Sequence, residues 1–246
     1  MMSQLLLLQC LLYMNFNGQP VPHFATKHCF AKSSGSRLRA YNHVCNNPGV
    51  TQKEVADIKD FFGSTPFTWF VSADDDQTIR VLQEQGLSKV AEFPALCADI
   101  STLPVNHGVH NVAILRAEND SEIVLWNALI ASMFKYDQVE LTRATDYLRH
   151  AAGDAITLYV GWHENKPVCA GMAVHHGDII TLHKIGTLPE YRNRGFGYAI
   201  THKILHDAAL SGCARALLTA TSMGKSLYDR FAFIQCGYYH VYALVT

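Results

Sequence analysis

Charge is scarce in this chain. Only 17% of its 246 residues are Asp, Glu, Lys or Arg, and the formal net charge is −1. No basic run exceeds Arg37-Leu38-Arg39, so a polyanion finds no patch to track and general nucleic-acid binding is excluded. Long apolar runs are lacking too. The leucine-rich stretch Leu5 to Leu12 is far shorter than the roughly 20 residues that cross a bilayer. It also lacks the basic flank and the A-x-A cleavage site of a secretory signal, so it reads as a buried helix of an N-terminal domain. The seven cysteines are odd in number, scattered and without a C-x-x-C pair, which fits reduced thiols in a cytoplasmic protein rather than a disulfide framework. No G-x-S-x-G supports a serine hydrolase. Histidine is plentiful, at 13 residues, but His202 and His206 lack the Glu of H-E-x-x-H and a third ligand. They read as a solvated helix face, and no metal is expected.

What is present is apolar substance: 49% of the residues are hydrophobic, enough for a substantial core. The length suits two domains of about 100–150 residues each. The polar, turn-forming segment 101–108 separates a unit spanning residues 1–104 from one spanning 111–246. In the first, apolar spacing predicts a helix around Val55 to Phe62, a strand at Phe67 to Val71, a helix opened by Asp74-Asp75-Asp76, and a strand from Val90 to Ile100. In the second, strands are expected at Val112 to Leu115, Ala155 to His163, Pro167 to His176 and Ile179 to Thr187. Helices are expected at Asp120 to Phe134, Val139 to His150 and from Phe196 to about Ser211. The strand Arg215 to Thr219, a short helix Gly224 to Phe231 and the strand Tyr238 to Val245 follow. The alternation predicts an α/β fold.

The chemistry concentrates where the Ile179 strand ends. Thr187-Leu188-Pro189-Glu190-Tyr191-Arg192-Asn193-Arg194-Gly195-Phe196-Gly197-Tyr198 breaks at a proline, then presents two arginines and two glycines as a helix begins. Glycines admit a ligand to the backbone, and the first helical turn offers free N–H groups at the positive end of the helix dipole. That combination suits a phosphate-bearing ligand. It is not a P-loop, because no Gly-Lys-Ser/Thr opens this helix, and the dinucleotide G-x-G-x-x-G pattern is not completed beyond Gly197.

Arg192, Arg194, Gly195 and Gly197 meet the Q/R-x-x-G-x-G/A signature, and residues 111–246 resemble the GNAT N-acetyltransferase superfamily. The likeness extends through Ser226 to Phe233 (SLYDRFAF), which is similar to that family's next motif, with its tyrosine at Tyr228. Residues 1–104 resemble the degenerate N-terminal half of two-domain members. The resemblance implies a mixed-sheet α/β acyl-CoA N-acyltransferase fold with a smaller N-terminal α/β domain. It implies acetyl-CoA as co-substrate and a primary amine of a small molecule or peptide as acceptor. By resemblance, the backbone of Ile185, Gly186 and Thr187 would bond the pantetheine arm. The diphosphate would lie over Arg192, Asn193, Arg194, Gly195, Phe196, Gly197 and Tyr198, with Ser222 a further contact. Tyr228 would serve the departing sulfur.

One position departs from the family. Many members carry a glutamate four residues before the Ile185 position; here Thr181 stands there and cannot act as a base. By strict alternation His183 shares a strand face with Thr181 and Ile185, and its ordinary pKa suits proton transfer. His175 and Asp178 are weaker candidates. A non-catalytic acyl-CoA sensor, or transfer of a succinyl or longer acyl group, remains an alternative. The sequence also allows a homodimer, and points to neither nucleic acid nor membrane as partner.

Overall fold

The computed structural model describes residues 15, 16, 19, 20, 22–33, 37, 39, 42–101, 111–134, 145, 148, 149, 155–221 and 224–245. The expected helix at Leu5–Leu12, most of the 101–108 and 139–150 segments, and Ser222 lie outside these residues. The fold is mixed α/β, built as two compact units. The first gathers residues 1–96, 219–222 and 235–246; the second gathers 97–218 and 223–234.

In the first unit, β1 (His23–Ala25), β2 (Cys29–Lys32) and β3 (His43–Asn46) form an antiparallel set. After helix α1 (Gln52–Phe62), β4 (Thr68–Ser72) returns parallel to β3. Helix α2 (Asp76–Glu84) and β5 (Leu87–Asp99) follow, and the last strand of the chain, β11 (Ile234–Leu244), pairs antiparallel with β4. The acidic run does start a helix: Asp75 caps α2 by accepting from the Thr78 N–H at 3.1 Å. Val55, Ile58 and Phe62 recur at helical spacing and pack on Trp69, Val71 and Leu82 in one core.

Helix α1 is closed at its N-terminus by the protein itself. Thr51 and Glu54 form a reciprocal capping box. The Glu54 carboxylate also accepts from Thr26 Oγ1 at 2.6 Å, from the His28 N–H at 3.0 Å and from His28 Nδ1 at 3.1 Å. Burial alone would raise this carboxyl, but the donors from Thr26, Thr51 and His28 outweigh it and hold it at about 2, against an ordinary 4.5. A depressed folded-state pKa stabilises the protein above the unfolded value, and the gain is lost as pH falls from about 4.5 through about 2. Glu54→Gln is therefore expected to cost on the order of 2 kcal/mol at neutral pH. Urea unfolding should show the difference from the parent chain shrinking as pH drops below about 4.5; a pH-independent difference would contradict the assignment.

In the second unit, β6 (Ala113–Arg116), β7 (Ile156–His163), β8 (Lys166–His176) and β9 (Ile179–Thr187) form an antiparallel meander, and β10 (Arg215–Thr219) adds parallel to β9. Helix α3 (Asp120–Phe134) precedes β7, and helix α4 (Phe196–Leu210) connects β9 to β10. Helix α5 (Lys225–Tyr228) continues into a 3-10 turn, Asp229–Phe231. Helix α4 buries Phe196, Ile200, Ile204, Leu205 and Ala208. Its far end is tied down by Asp207, which receives Lys203 Nζ at 2.7 Å, Arg116 Nη2 at 3.1 Å and the Tyr159 hydroxyl at 3.2 Å. Burial opposes that charge, yet Lys203 and Arg116 hold the carboxyl below its ordinary range. The helix that begins at the glycine motif is thus fixed from both its apolar face and its C-terminal half.

Candidate active site

Strand β9 and helix α4 are joined by a 3-10 turn, Pro189–Tyr191, and then by residues whose backbone turns left-handed. Asn193 has φ 61° and Gly195, the N-cap of α4, has φ 82°. Gly195 offers no side-chain cap, so the first-turn N–H groups meet no carboxylate or hydroxyl of their own helix. This is the reverse of α1, where Glu54 fills the equivalent place. A Cβ built on Gly197 would meet Thr187 Oγ1 at 3.7 Å and Leu227 Cδ2 at 3.6 Å. The first turn of α4, the end of β9 and helix α5 therefore converge on one spot. Arg192 folds back so that Nε donates to the Thr187 carbonyl at 3.3 Å, and Arg194 lies 5.4 Å from the centre of the Tyr191 ring.

The strand leading there is not a regular one. Its parallel ladder with β10 runs from Ile179↔Arg215 to Thr181↔Leu217, while β9 continues to Thr187. Against β8 its register slips between Ala170 and Met172: Met172 faces His183, but Ala170 faces Gly186. Lys184, at φ 53°, is the extra residue of a bulge. The bulge overturns the expected alternation. A Cβ on Gly171 would stand 2.7 Å from Ile185 Cδ1 and 3.0 Å from Ile204 Cδ1, so Ile185 lies on the α4 side of the sheet. Met172 alternates to the other side and carries His183 with it. Gly186 also faces that side, where a Cβ would meet Met133 Sδ of α3 at 2.6 Å. His183 and Ile185 thus occupy opposite faces, because one inserted residue shifts the two-residue period. Gly171, opposite the bulge, accepts the indole N–H of buried Trp126 at 2.9 Å.

His183 does stand beside Thr181, with Nε2 2.8 Å from the threonine hydroxyl oxygen. Burial, and to a smaller degree the Lys184 ammonium, pushes His183 down to about 4. Tyr228 is 7% exposed, and its ring meets Phe233 edge-on at 5.7 Å. Burial pushes its phenol up to about 12. The hydroxyl has no hydrogen-bond partner among the described residues. Among the other candidates, His175 Nδ1 lies 3.7 Å from Cys213 Sγ, and Asp178 pairs with Arg215 at 3.0 Å. Both are tied up away from the motif. His206 is exposed and His202 half-buried; their rings stack at 6.1 Å. Among the described residues no group of three or more His, Cys, Asp or Glu could hold a metal ion, and no helix is long and apolar enough to cross a membrane.

The glycine turn, the bulged strand beside it and the tyrosine on the next helix fall inside a segment, residues 124–233, that matches the model of the acetyltransferase (GNAT) family. The chain carries a GNAT acetyltransferase domain. Acyl transfer from an acyl-coenzyme A is the chemistry of that family, and the match supports it here. Solved structures share its fold. A GCN5-related N-acetyltransferase from Kribbella flavida superposes with a TM-score of 0.77 at 15% identity, covering 98% of this chain and 94% of that one. A GCN5-related N-acetyltransferase from Sphaerobacter thermophilus gives 0.68 at 12% identity, covering 89% and 78%. A functionally unknown conserved protein from Staphylococcus epidermidis gives 0.66 at 14% identity, covering 91% and 93%. No curated protein matches the chain.

Two features of this GNAT domain escape a reading of its sequence. The bulge at Lys184 leaves no mark in the hydrophobic pattern, although Gly171 and Gly186 on the paired strands hint at close approach. Arg230, four residues into the SLYDRF segment, stands 4.0 Å from the centre of the Tyr198 ring on the first turn of α4. Its partner is distant in sequence, so spacing alone gives no signal.

Proposed function

We propose that the chain is an N-acetyltransferase that moves the acetyl group of acetyl-CoA to a primary amine of a small molecule or peptide by direct attack. The observation that carries this reading is the open first turn of α4, flanked by Arg192 and Arg194 and placed at the end of the bulged strand. Its N–H groups and guanidinium groups would receive the diphosphate, with Asn193, Gly195, Phe196, Gly197 and Tyr198 supplying the turn. The pantetheine arm would run along the backbone of Ile185, Gly186 and Thr187, beyond the end of the ladder with β10.

In the reaction the amine lone pair attacks the thioester carbon, and the oxyanion that forms is stabilised by a strand N–H at Ile185. Collapse breaks the C–S bond, and the proton lost from nitrogen ends on sulfur. Tyr228 is the group proposed beside that sulfur. Raised to about 12, its phenol stays protonated at neutral pH. Full donation to a thiol of ordinary pKa would be uphill by about 5 kcal/mol, so Tyr228 acts chiefly as a hydrogen-bond donor to the developing thiolate. His183, at about 4, is neutral at pH 7 and a weak base. It suits shaping the acceptor side or receiving a proton already shared with Thr181. The amine would then arrive neutral, which disfavours strongly basic alkylamines and favours acceptors near an α-amino pKa of about 8.

The same reading extends to organisation. We take residues 111–246 as the catalytic half and 1–104 as a degenerate GNAT-like half. In support, three antiparallel strands, a helix, a parallel strand, a second helix and a further strand occur in that order from β1 to β5 and again from β7 to β11. The six described cysteines are free thiols, which supports a reducing, cytoplasmic setting.

A second reading, a non-catalytic acyl-CoA sensor, is favoured by Thr181 standing where a base would serve and by the low basicity of His183. Free-thiol release from acetyl-CoA across a panel of amines separates them. The proposal expects release that depends on the amine, with acetylated amine in the mass spectrum. Binding of acetyl-CoA with no release across the panel would favour the sensor.

A further inference from the structure

Around the bulge the two faces of β9 present different groups. Ile185 and helix α4 lie on one side, where the coenzyme is placed above; His183 and Gly186 lie on the other, beneath α3. An amine has to reach the thioester carbon without crossing the coenzyme, so the acceptor comes from the α3 side. Three side chains meet there. A Cβ built on Gly186 would stand 2.6 Å from Met133 Sδ and 3.5 Å from Phe134 Cε2. Phe134 closes α3 and is 40% exposed. The Lys184 ammonium lies over its ring, 5.5 Å from the centre.

Lysine is an unexpected residue for the bulge. Its φ of 53° is one that glycine or asparagine adopts with less strain, and strain of this kind concentrates at ligand clamps. The ammonium also reaches the site electrically: after burial, it is the next cause that lowers His183. The face of an aromatic ring steadies a cation without using up its N–H donors. The acceptor side thus offers a positive charge and an apolar floor, both beside Ile185, whose N–H is assigned to the oxyanion. A charge of that sign disfavours an acceptor that brings a second cation and favours one that brings a carboxylate.

We propose that the acceptor is a free amino acid with an apolar side chain, its carboxylate bound by the Lys184 ammonium and its side chain resting on Phe134 and Met133. The assignment rests on the acyl-CoA reading above. Lys184 acts by placing the amine over the thioester and exchanges no proton with it. A lysine that merely packs against Phe134 would treat acceptors with and without a carboxylate alike.

Thiol release from acetyl-CoA by the full chain, with leucine and with leucinamide as acceptors, decides between these roles. The two share a side chain and differ in the carboxylate, and rates are compared per neutral amine because their amino groups differ in pKa. The unmodified chain is expected to prefer leucine about tenfold in kcat/KM, chiefly through KM, as one charge-assisted contact allows. Lys184→Gln is expected to lose about that factor for leucine and nothing for leucinamide. Lys184→Gly, which also relaxes the left-handed backbone, should do the same, and Lys184→Arg should retain part of the preference. Equal loss for both acceptors in Lys184→Gln, or a preference that survives it, would overturn the assignment. So would an unmodified chain that serves leucinamide or other amines as well as leucine, with the acyl-CoA reading left standing. Release with no amine of a broad panel would remove that reading and the assignment together.

Discussion

Replacing Tyr228 by phenylalanine is expected to lower kcat about a hundredfold while coenzyme A affinity stays within about twofold. The substitution removes one oxygen from a ring whose body is buried against Phe233, so packing is nearly unchanged. What disappears is a donor kept protonated by burial, proposed to meet negative charge that exists only as the C–S bond breaks. An interaction made only in the transition state costs kcat and not binding. The pH profile adds a second check. With the phenol at about 12, its ionisation should not appear in the rate between pH 6 and about 10. Steady-state kinetics with a saturating amine, together with a binding titration, measures both quantities. Unchanged kcat would remove Tyr228 from the departing-sulfur role, and parallel loss of kcat and affinity would make it a structural residue.

The second large effect is expected on binding. Arg192→Gln combined with Arg194→Gln should weaken coenzyme A about a hundredfold, through two charge-assisted contacts on the diphosphate. Both side chains are exposed, and neither pairs with an acid among the described residues. Folded stability should therefore stay within about 0.5 kcal/mol of the parent. The backbone N–H groups of the α4 turn remain, so some affinity should survive, and added salt should weaken the parent more than the variant. Dissociation constants at two ionic strengths test this. Affinity that is indifferent to both substitutions would place the diphosphate elsewhere.

The elements that were legible in the sequence are those written in local chemistry. Asp120–Phe134, Ile179–Thr187 and Arg215–Thr219 fall where apolar spacing and turn residues put them. The start of α4 is announced by Gly195, whose φ of 82° few other residues tolerate. The final strand begins at Ile234, four residues before its expected start. Ile234 and Gln235 are exposed, so alternation there is muted, and pairing rather than side-chain pattern sets the boundary. The bulge at Lys184 was illegible for a related reason. It is a relation between two strands, and it moved Ile185 to the face opposite His183 without altering the run of apolar residues. Likewise the closure of α1 by Glu54 was half-visible: Thr51 and Glu54 spell a capping box, but the donors from Thr26 and His28 arrive from another strand pair. Short-range rules gave the cradle. Long-range contacts decide which of the two similar helix entrances is closed by a side-chain carboxylate.

Calorimetric titration of the full chain with coenzyme A bears most directly on this contrast. The account expects saturable uptake of one molecule per chain, since the α4 entrance is open and the α1 entrance is already filled by the Glu54 carboxylate. Absence of uptake, or uptake of two equivalent molecules, would contradict it.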